Sequence, residues 1–273
     1  MENYVHNKLQ ELELLILEEI DRICLKHSIV YFLGYGTLIG AVRHGGFIPW
    51  DDDIDLFMPR DDYERFLEVC QTELDERFLL HFQETDLHYP LSMTKIRLKD
   101  TVFLEKDVRS DMISHGIWVD IFVLDEVKQK NSFLQRTQFK MVACMNTIKG
   151  VRLGWNNLKG CSLFTKSLYV LLRILSVKQI YLIQERIRKL YRGGACKYMM
   201  EFSGCYGSYK QTFLKEDLFP PKRTQFSNIT CYVPQSAHNI LTGIYGENYM
   251  TLPPPEDRRT HNPLKLDFGP YGD

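Results

Sequence analysis

The sequence predicts an α+β fold: a mixed β-sheet core with flanking helices over residues 1–126, followed by a mainly helical C-terminal region, residues 127–273, packed on that core. Three observations carry this expectation. At 273 residues and 44% hydrophobic, the chain can bury a full core. Up to about residue 126 the apolar residues switch between the 3.6-residue period of a helix and the two-residue period of a strand. From Asn131 onward the pattern turns helical, runs through a basic and apolar stretch from Lys159 to Arg192, and ends in a tail rich in aromatic residues, Gly and Pro.

Each element has its own signal. Leu9, Leu12, Ile16, Ile20 and Ile23 recur at helical spacing, so the first segment reads as an amphipathic helix ending near Lys26 and His27. Ile29 to Leu33 is β-branched and aromatic and reads as a short strand. The turn Gly34-Tyr35-Gly36 follows, Thr37 opens a short helix from Leu38 to Arg43, and Gly45-Gly46 stops it. Pro49-Trp50 marks a turn into Asp52 to Met58, a strand with Ile54, Leu56 and Met58 on the core side and Asp53 and Asp55 on the other. Tyr63, Phe66, Leu67, Cys70 and Leu74 then share one helical face, with acids at that helix's start, where the dipole favours them. Further strands are readable at Phe78 to Phe82, Lys95 to Leu98 and Ile117 to Leu124.

Composition excludes several classes. A net charge of -1, from 34 basic and 35 acidic residues, gives no global reason to expect a nucleic-acid partner. Seven cysteines with no C-x-x-C spacing read as reduced thiols and, with an amino terminus unlike a signal peptide and no run of about 20 apolar residues, point to a cytoplasmic location.

The chemistry concentrates between Phe47 and Arg60. Two residues apart on a strand, Asp53 and Asp55 have Cα atoms about 6.6 Å apart and side chains on one face, a spacing that suits binding of magnesium or manganese. Asp120 lies in the strand Gly116 to Leu124, too hydrophobic to be exposed on both faces, so something positive should face it. Two readings stand open there: a buried ion pair with Lys95 or Arg97, or a third carboxylate joining Asp53 and Asp55 around metal. Gly36-Thr37 offers backbone N–H groups and a hydroxyl to a phosphate, and Arg43, Lys95 and Arg97 are candidate substrate contacts.

Beyond these spacings, the segment Gly34 to Phe66, GYGTLIGAVRHGGFIPWDDDIDLFMPRDDYERF, resembles the signature of the LicD family, which includes the fukutin-type proteins, within the nucleotidyltransferase superfamily. His115 to Asp125 resembles its second block and Tyr245 to His261 its carboxyl-terminal block. The resemblance implies a nucleotidyltransferase-type core. It further implies metal-dependent transfer of phosphocholine, or a related phospho-alcohol, from a CDP-linked donor to a hydroxyl of a cell-surface glycan, free or lipid-linked, with release of CMP. By the same resemblance Gly36 and Thr37 are the phosphate element, Asp53 and Asp55 the metal pair, and Asp120 the third carboxylate. Three alternatives compete: a glycosyltransferase, a nucleotidyltransferase releasing pyrophosphate from a nucleoside triphosphate, and a non-catalytic glycan-binding or assembly protein.

The stretch Lys159 to Arg192 carries eight basic residues and one acid, Glu185, among Leu168, Val170, Leu171, Leu172, Ile174 and Leu175. It reads either as a packed helix with a solvated basic face or as a peripheral contact with the anionic inner face of a membrane.

Overall fold

The computed structural model describes residues 2–105, 113–203, 206–258 and 260–272. Helix α1 (Glu2–Lys26) buries Leu9, Leu12, Ile16, Ile20 and Ile23, as their spacing requires. Strand β1 (Phe32–Leu33) is shorter than expected and leads into α2 (Tyr35–His44). This helix starts at Tyr35, so Gly36 and Thr37 lie inside its first turn, and it ends at Gly45, whose φ of 69° is the left-handed cap that glycine accepts without strain. β2 (Asp55–Pro59) runs into α3 (Arg60–Glu73), then β3 (Phe78–His81), β4 (Thr94–Leu98), β5 (Val102–Leu104) and the long β6 (Trp118–Val127).

The central sheet has the order β1-β2-β6-β4-β3, in which β2 and β6 are parallel and the other neighbours antiparallel. Its two faces differ. Leu56, Ile121, Val119 and Ile96 point to the apolar side, where Tyr63 of α3 reaches the Thr94 hydroxyl and α1 also packs. The opposite side carries the polar row described below and then an aromatic layer: Tyr35 packs edge-on against Phe57 and Phe122, with centroids 4.7 and 5.3 Å away.

Beyond β6, helices α4 (Phe133–Arg152), α5 (Leu163–Leu172) and α6 (Val177–Arg188) bear out the helical reading for that stretch, with Met145, Ile148, Leu172 and Ile180 forming their shared core. The reading fails after it. β7 (Tyr198–Glu201) adds to the second half of β6 and β8 (Thr212–Leu214) adds to β7, so this part of the chain extends the central sheet rather than forming more helix. After the short α7 (Lys215–Leu218) come the hairpin β9 (Lys222–Phe226) and β10 (Ile229–Val233), then α8 (Ala237–Tyr245). Finally β11 (Lys265–Asp267) pairs with β5 and returns the chain to the first half of the molecule.

A buried ionic knot joins these parts. Arg60, the first residue of α3, donates two hydrogen bonds to Asp125 of β6 at 2.6 and 2.9 Å and one to Glu185 of α6 at 2.9 Å. Its guanidinium is held above its ordinary pKa: burial opposes the charge, but the two carboxylates outweigh it. Among the described residues the cysteines are free thiols, in line with the expectation; Cys205 lies outside those residues. No described helix is long and apolar enough to cross a membrane.

Candidate active site

Strand register assembles a polar row that no local spacing shows. Asp55 of β2 pairs with Asp120 of β6, Asp120 with Lys95 of β4, and Lys95 with His81 of β3. Residues in register on neighbouring strands share a face, so the four side chains line up across the sheet. Arg97 and Trp118 pair two residues along and occupy the same face.

Lys95 bears out the ion-pair reading of Asp120. Its ammonium donates to Asp120 Oδ2 at 3.0 Å and sits 3.8 Å from the centre of the Trp118 ring, whose Nε1–H also donates to Oδ2 at 3.2 Å. Asp120 is therefore in a buried ion pair. Its Oδ1, though 3.0 Å from the same ammonium, accepts no hydrogen bond. Arg97 is fully enclosed: it donates to His81 Nδ1 at 2.9 Å and to the Gly116 carbonyl at 2.8 Å. With Nδ1 accepting, His81 carries its proton on Nε2 and donates to Asp86 at 3.1 Å. Burial, then the nearby Arg97 charge, lowers the His81 pKa to about 4.

The α2 amino terminus is pinned over the row. The Asp55 backbone N–H donates to Thr37 Oγ1 at 2.8 Å, and the Gly34 N–H donates to the Asp55 carbonyl at 2.8 Å. A Cβ on Gly36 would stand 3.1 Å from Asp51 Oδ2, so the missing side chain makes room for that carboxylate. Arg43, at the far end of α2, donates to His44 Nε2 and the Tyr249 carbonyl and feels the Asp51 charge.

Asp53 precedes β2 rather than lying in it, yet the acids still converge. Burial, followed by the charges of Asp53, Asp120 and Asp51, holds Asp55 well above the usual carboxylate range. Asp53 is pushed up to about 6 by burial and by Asp120 and Asp52, against the opposing charges of His261 and Lys95. Asp51 is pushed up to about 8 by burial and the charges of Asp53 and Asp52. Carboxylates that raise one another in this way lack sufficient counter-charge.

Two residues join this site that the sequence reading did not single out for it, Glu13 and Asp52, and with them His261, whose ligand role the sequence left open. Glu13, buried on α1, has a pKa well above its ordinary value through burial and the charges of Asp53, Asp52, Asp51 and Asp55. Its signal was available, because an acid in the apolar stripe of Leu9, Leu12 and Ile16 needs a reason. Asp52 accepts from the His261 backbone N–H at 2.9 Å and lies 2.9 Å from His261 Nδ1, while His261 Nε2 is 3.8 Å from Asp53. Burial alone would lower the imidazole, but the Asp52 hydrogen bond and the Asp53 and Asp52 charges carry it up to about 9. In the same C-terminal block, the Arg258 guanidinium lies over the Trp50 ring, 4.3 Å from its centre.

The donor set fits a divalent cation. Glu13, Asp51, Asp52, Asp53, Asp55 and Asp120 gather around Lys95 and His261, and ligand atoms of Asp52, Asp53 and His261 lie within 4.8 Å of one another. The unbonded Asp120 Oδ1 and the mutually raised aspartates are what a hard cation would relieve.

The family described as LicD/FKTN/FKRP, nucleotidyltransferase domain, matches residues 28–141, which contain every member of the polar row. Lipopolysaccharide cholinephosphotransferase LicD of Haemophilus influenzae is 31% identical over 255 residues, covering 90% of this chain and 92% of that protein. The uncharacterized protein RP689 of Rickettsia prowazekii is 29% identical over 104 residues, covering 31% of this chain and 38% of its own length.

Proposed function

The chain belongs to the LicD family and is a phosphotransferase of that type, and from this premise we propose that it moves phosphocholine, or a related phospho-alcohol, from a CDP-linked donor to a hydroxyl of a cell-surface glycan, releasing CMP. The observation that carries the reading is the register of Asp55 with Asp120 on adjacent parallel strands, beneath a helix start pinned by Thr37. The name of the Haemophilus influenzae relative supplies choline and lipopolysaccharide as the first donor group and acceptor to try. The nucleotidyltransferase-type core is part of the same proposal.

Asp53, Asp55 and Asp120 would hold magnesium or manganese, which, when bound, neutralises the donor's diphosphate and makes its distal phosphorus more electrophilic. The remaining roles belong to the chain. Gly36 and Thr37 present the first-turn N–H groups of α2 to the phosphates, a position where anions are favoured. Lys95 keeps Asp120 anchored through Oδ2, and Oδ1, which accepts no hydrogen bond although it lies beside the same ammonium, would face metal or take the proton of the attacking hydroxyl. Arg43 contributes positive charge on the Asp51 side of α2. Arg97 acts at one remove: enclosed and bonded to His81 and Gly116, it props the Trp118 ring that packs on Lys95.

The test is a panel of CDP-linked alcohols incubated with purified protein, with and without magnesium, followed by CMP quantification and mass analysis of the acceptor. Metal-dependent CMP formation with phosphate retained on the acceptor is the expected result, reduced about 10²–10³-fold in Asp55→Asn. Pyrophosphate release from a nucleoside triphosphate, or undiminished turnover in that variant, would overturn the reading.

A further inference from the structure

We propose that α5 seats this protein on an anionic lipid surface, lying in the plane of the interface. The helix spans Leu163–Leu172, with Ser162 capping its start by accepting from the Thr165 N–H. At 100° per residue, Thr165, Leu168, Tyr169 and Leu172 fall on one arc, which packs into the core formed with α4 and α6. The opposite arc, Ser167 apart, is also apolar and has no cover among the described residues: Leu163 is 82% exposed, Phe164 55%, Val170 58% and Leu171 68%, and Ile174 in the following turn is 83% exposed. A soluble helix ordinarily presents a polar face there. Five large aliphatic or aromatic side chains in its place mark an interaction surface.

Charge selects the occupant. The basic stretch of residues 159–192 divides into two parts. Arg188, Lys189 and Arg192 are engaged by Glu185, Glu64 and Asp61, so their charge is spent inside the protein. Lys159, Lys166, Arg173, Lys178 and Arg186 are exposed and make no side-chain hydrogen bond or ion pair among the described residues. Lys166 flanks the uncovered arc and Arg173 follows the last turn of the helix. An apolar strip edged by unpaired bases matches an anionic bilayer surface, where the apolar side chains enter the acyl boundary and the bases reach the headgroups. At ten residues the helix cannot span.

Vesicle co-sedimentation of the whole protein tests this without donor or acceptor. Partition onto vesicles of 30% phosphatidylglycerol in phosphatidylcholine is expected to exceed that onto phosphatidylcholine alone by about tenfold or more and to fall with added salt. The exposed-site variant Leu163→Asp/Leu171→Asp should lose it at least tenfold with circular dichroism unchanged, and Lys166→Glu/Arg173→Glu should lose the anionic preference. Equal recovery in the supernatant with either vesicle would overturn the proposal. So would a concentration-dependent dimer that the Leu163→Asp/Leu171→Asp variant dissolves, because the strip would then belong to a second copy. Asp120→Asn, placed in the catalytic site, should still sediment with anionic vesicles, which separates failure of this proposal from failure of the phosphotransferase reading.

Discussion

Replacing Lys95 by methionine would leave the buried Asp120 carboxylate facing Trp118 with its ammonium partner gone. We expect that variant to lose about 3–5 kcal/mol of stability in urea titrations, as well as turnover. His81 gives a pH signature. Its folded pKa, about 4, lies below the ordinary value of 6.5, so between those values the unfolded state binds more protons. Stability should therefore fall as pH drops from 6.5 to 4, by up to about 3 kcal/mol from this group. His81→Gln should flatten that part of the profile while still accepting from Arg97. Some of this was readable from residues alone: Asp53, Asp55 and Asp120 were singled out by spacing and apolar context, and the structure places their charges within reach of one another. Asp52 with His261 was not, because their contact spans 209 positions and nothing at either end announces it.

At the scale of elements, the amino-terminal turn of α2 is the part on which chemistry and folding depend differently. Gly36→Ala fits a helix without backbone strain and should leave stability unchanged or raise it by up to about 1 kcal/mol. Its Cβ would nevertheless displace the Asp51 carboxylate from 3.1 Å, and turnover should fall about tenfold. Thermal melting and steady-state kinetics on one preparation would separate the two effects. Strands with a long β-branched and aromatic run, such as β6, were legible to within a few residues. The β9–β10 hairpin was not: Lys222 to Gln225 have largely exposed side chains, so no apolar period marks them. β7 and β8 escaped for a related reason, since four- and three-residue strands cannot display a period, and only their pairing with β6 reveals them.

For the molecule as a whole, the acidic cluster is a stored repulsion that a cation would discharge. Magnesium at a hundredfold excess over its Kd should stabilise the fold by about 2.7 kcal/mol. Asp53→Asn should melt higher than the parent in chelator, because one of the crowded carboxylates is gone, and should lose most of the magnesium-induced rise. Scanning calorimetry with EDTA and with magnesium reads both. The helical expectation for residues 127–273 held over α4 to α6 and gave way beyond them, since β7 joins a sheet begun far upstream by β1 and β2.

The pairing of β11 with β5, which delivers His261 to Asp52, has a consequence during synthesis. At roughly 5–20 residues per second, the ribosome needs about 10–40 s to travel the 209 positions between the two partners. In the later part of that interval, once Val127 has emerged, a nascent chain can already have formed β1 to β6 while its cluster of aspartates still waits for the imidazole. The emerging polypeptide therefore carries its crowded carboxylates before the imidazole that offsets them has been made.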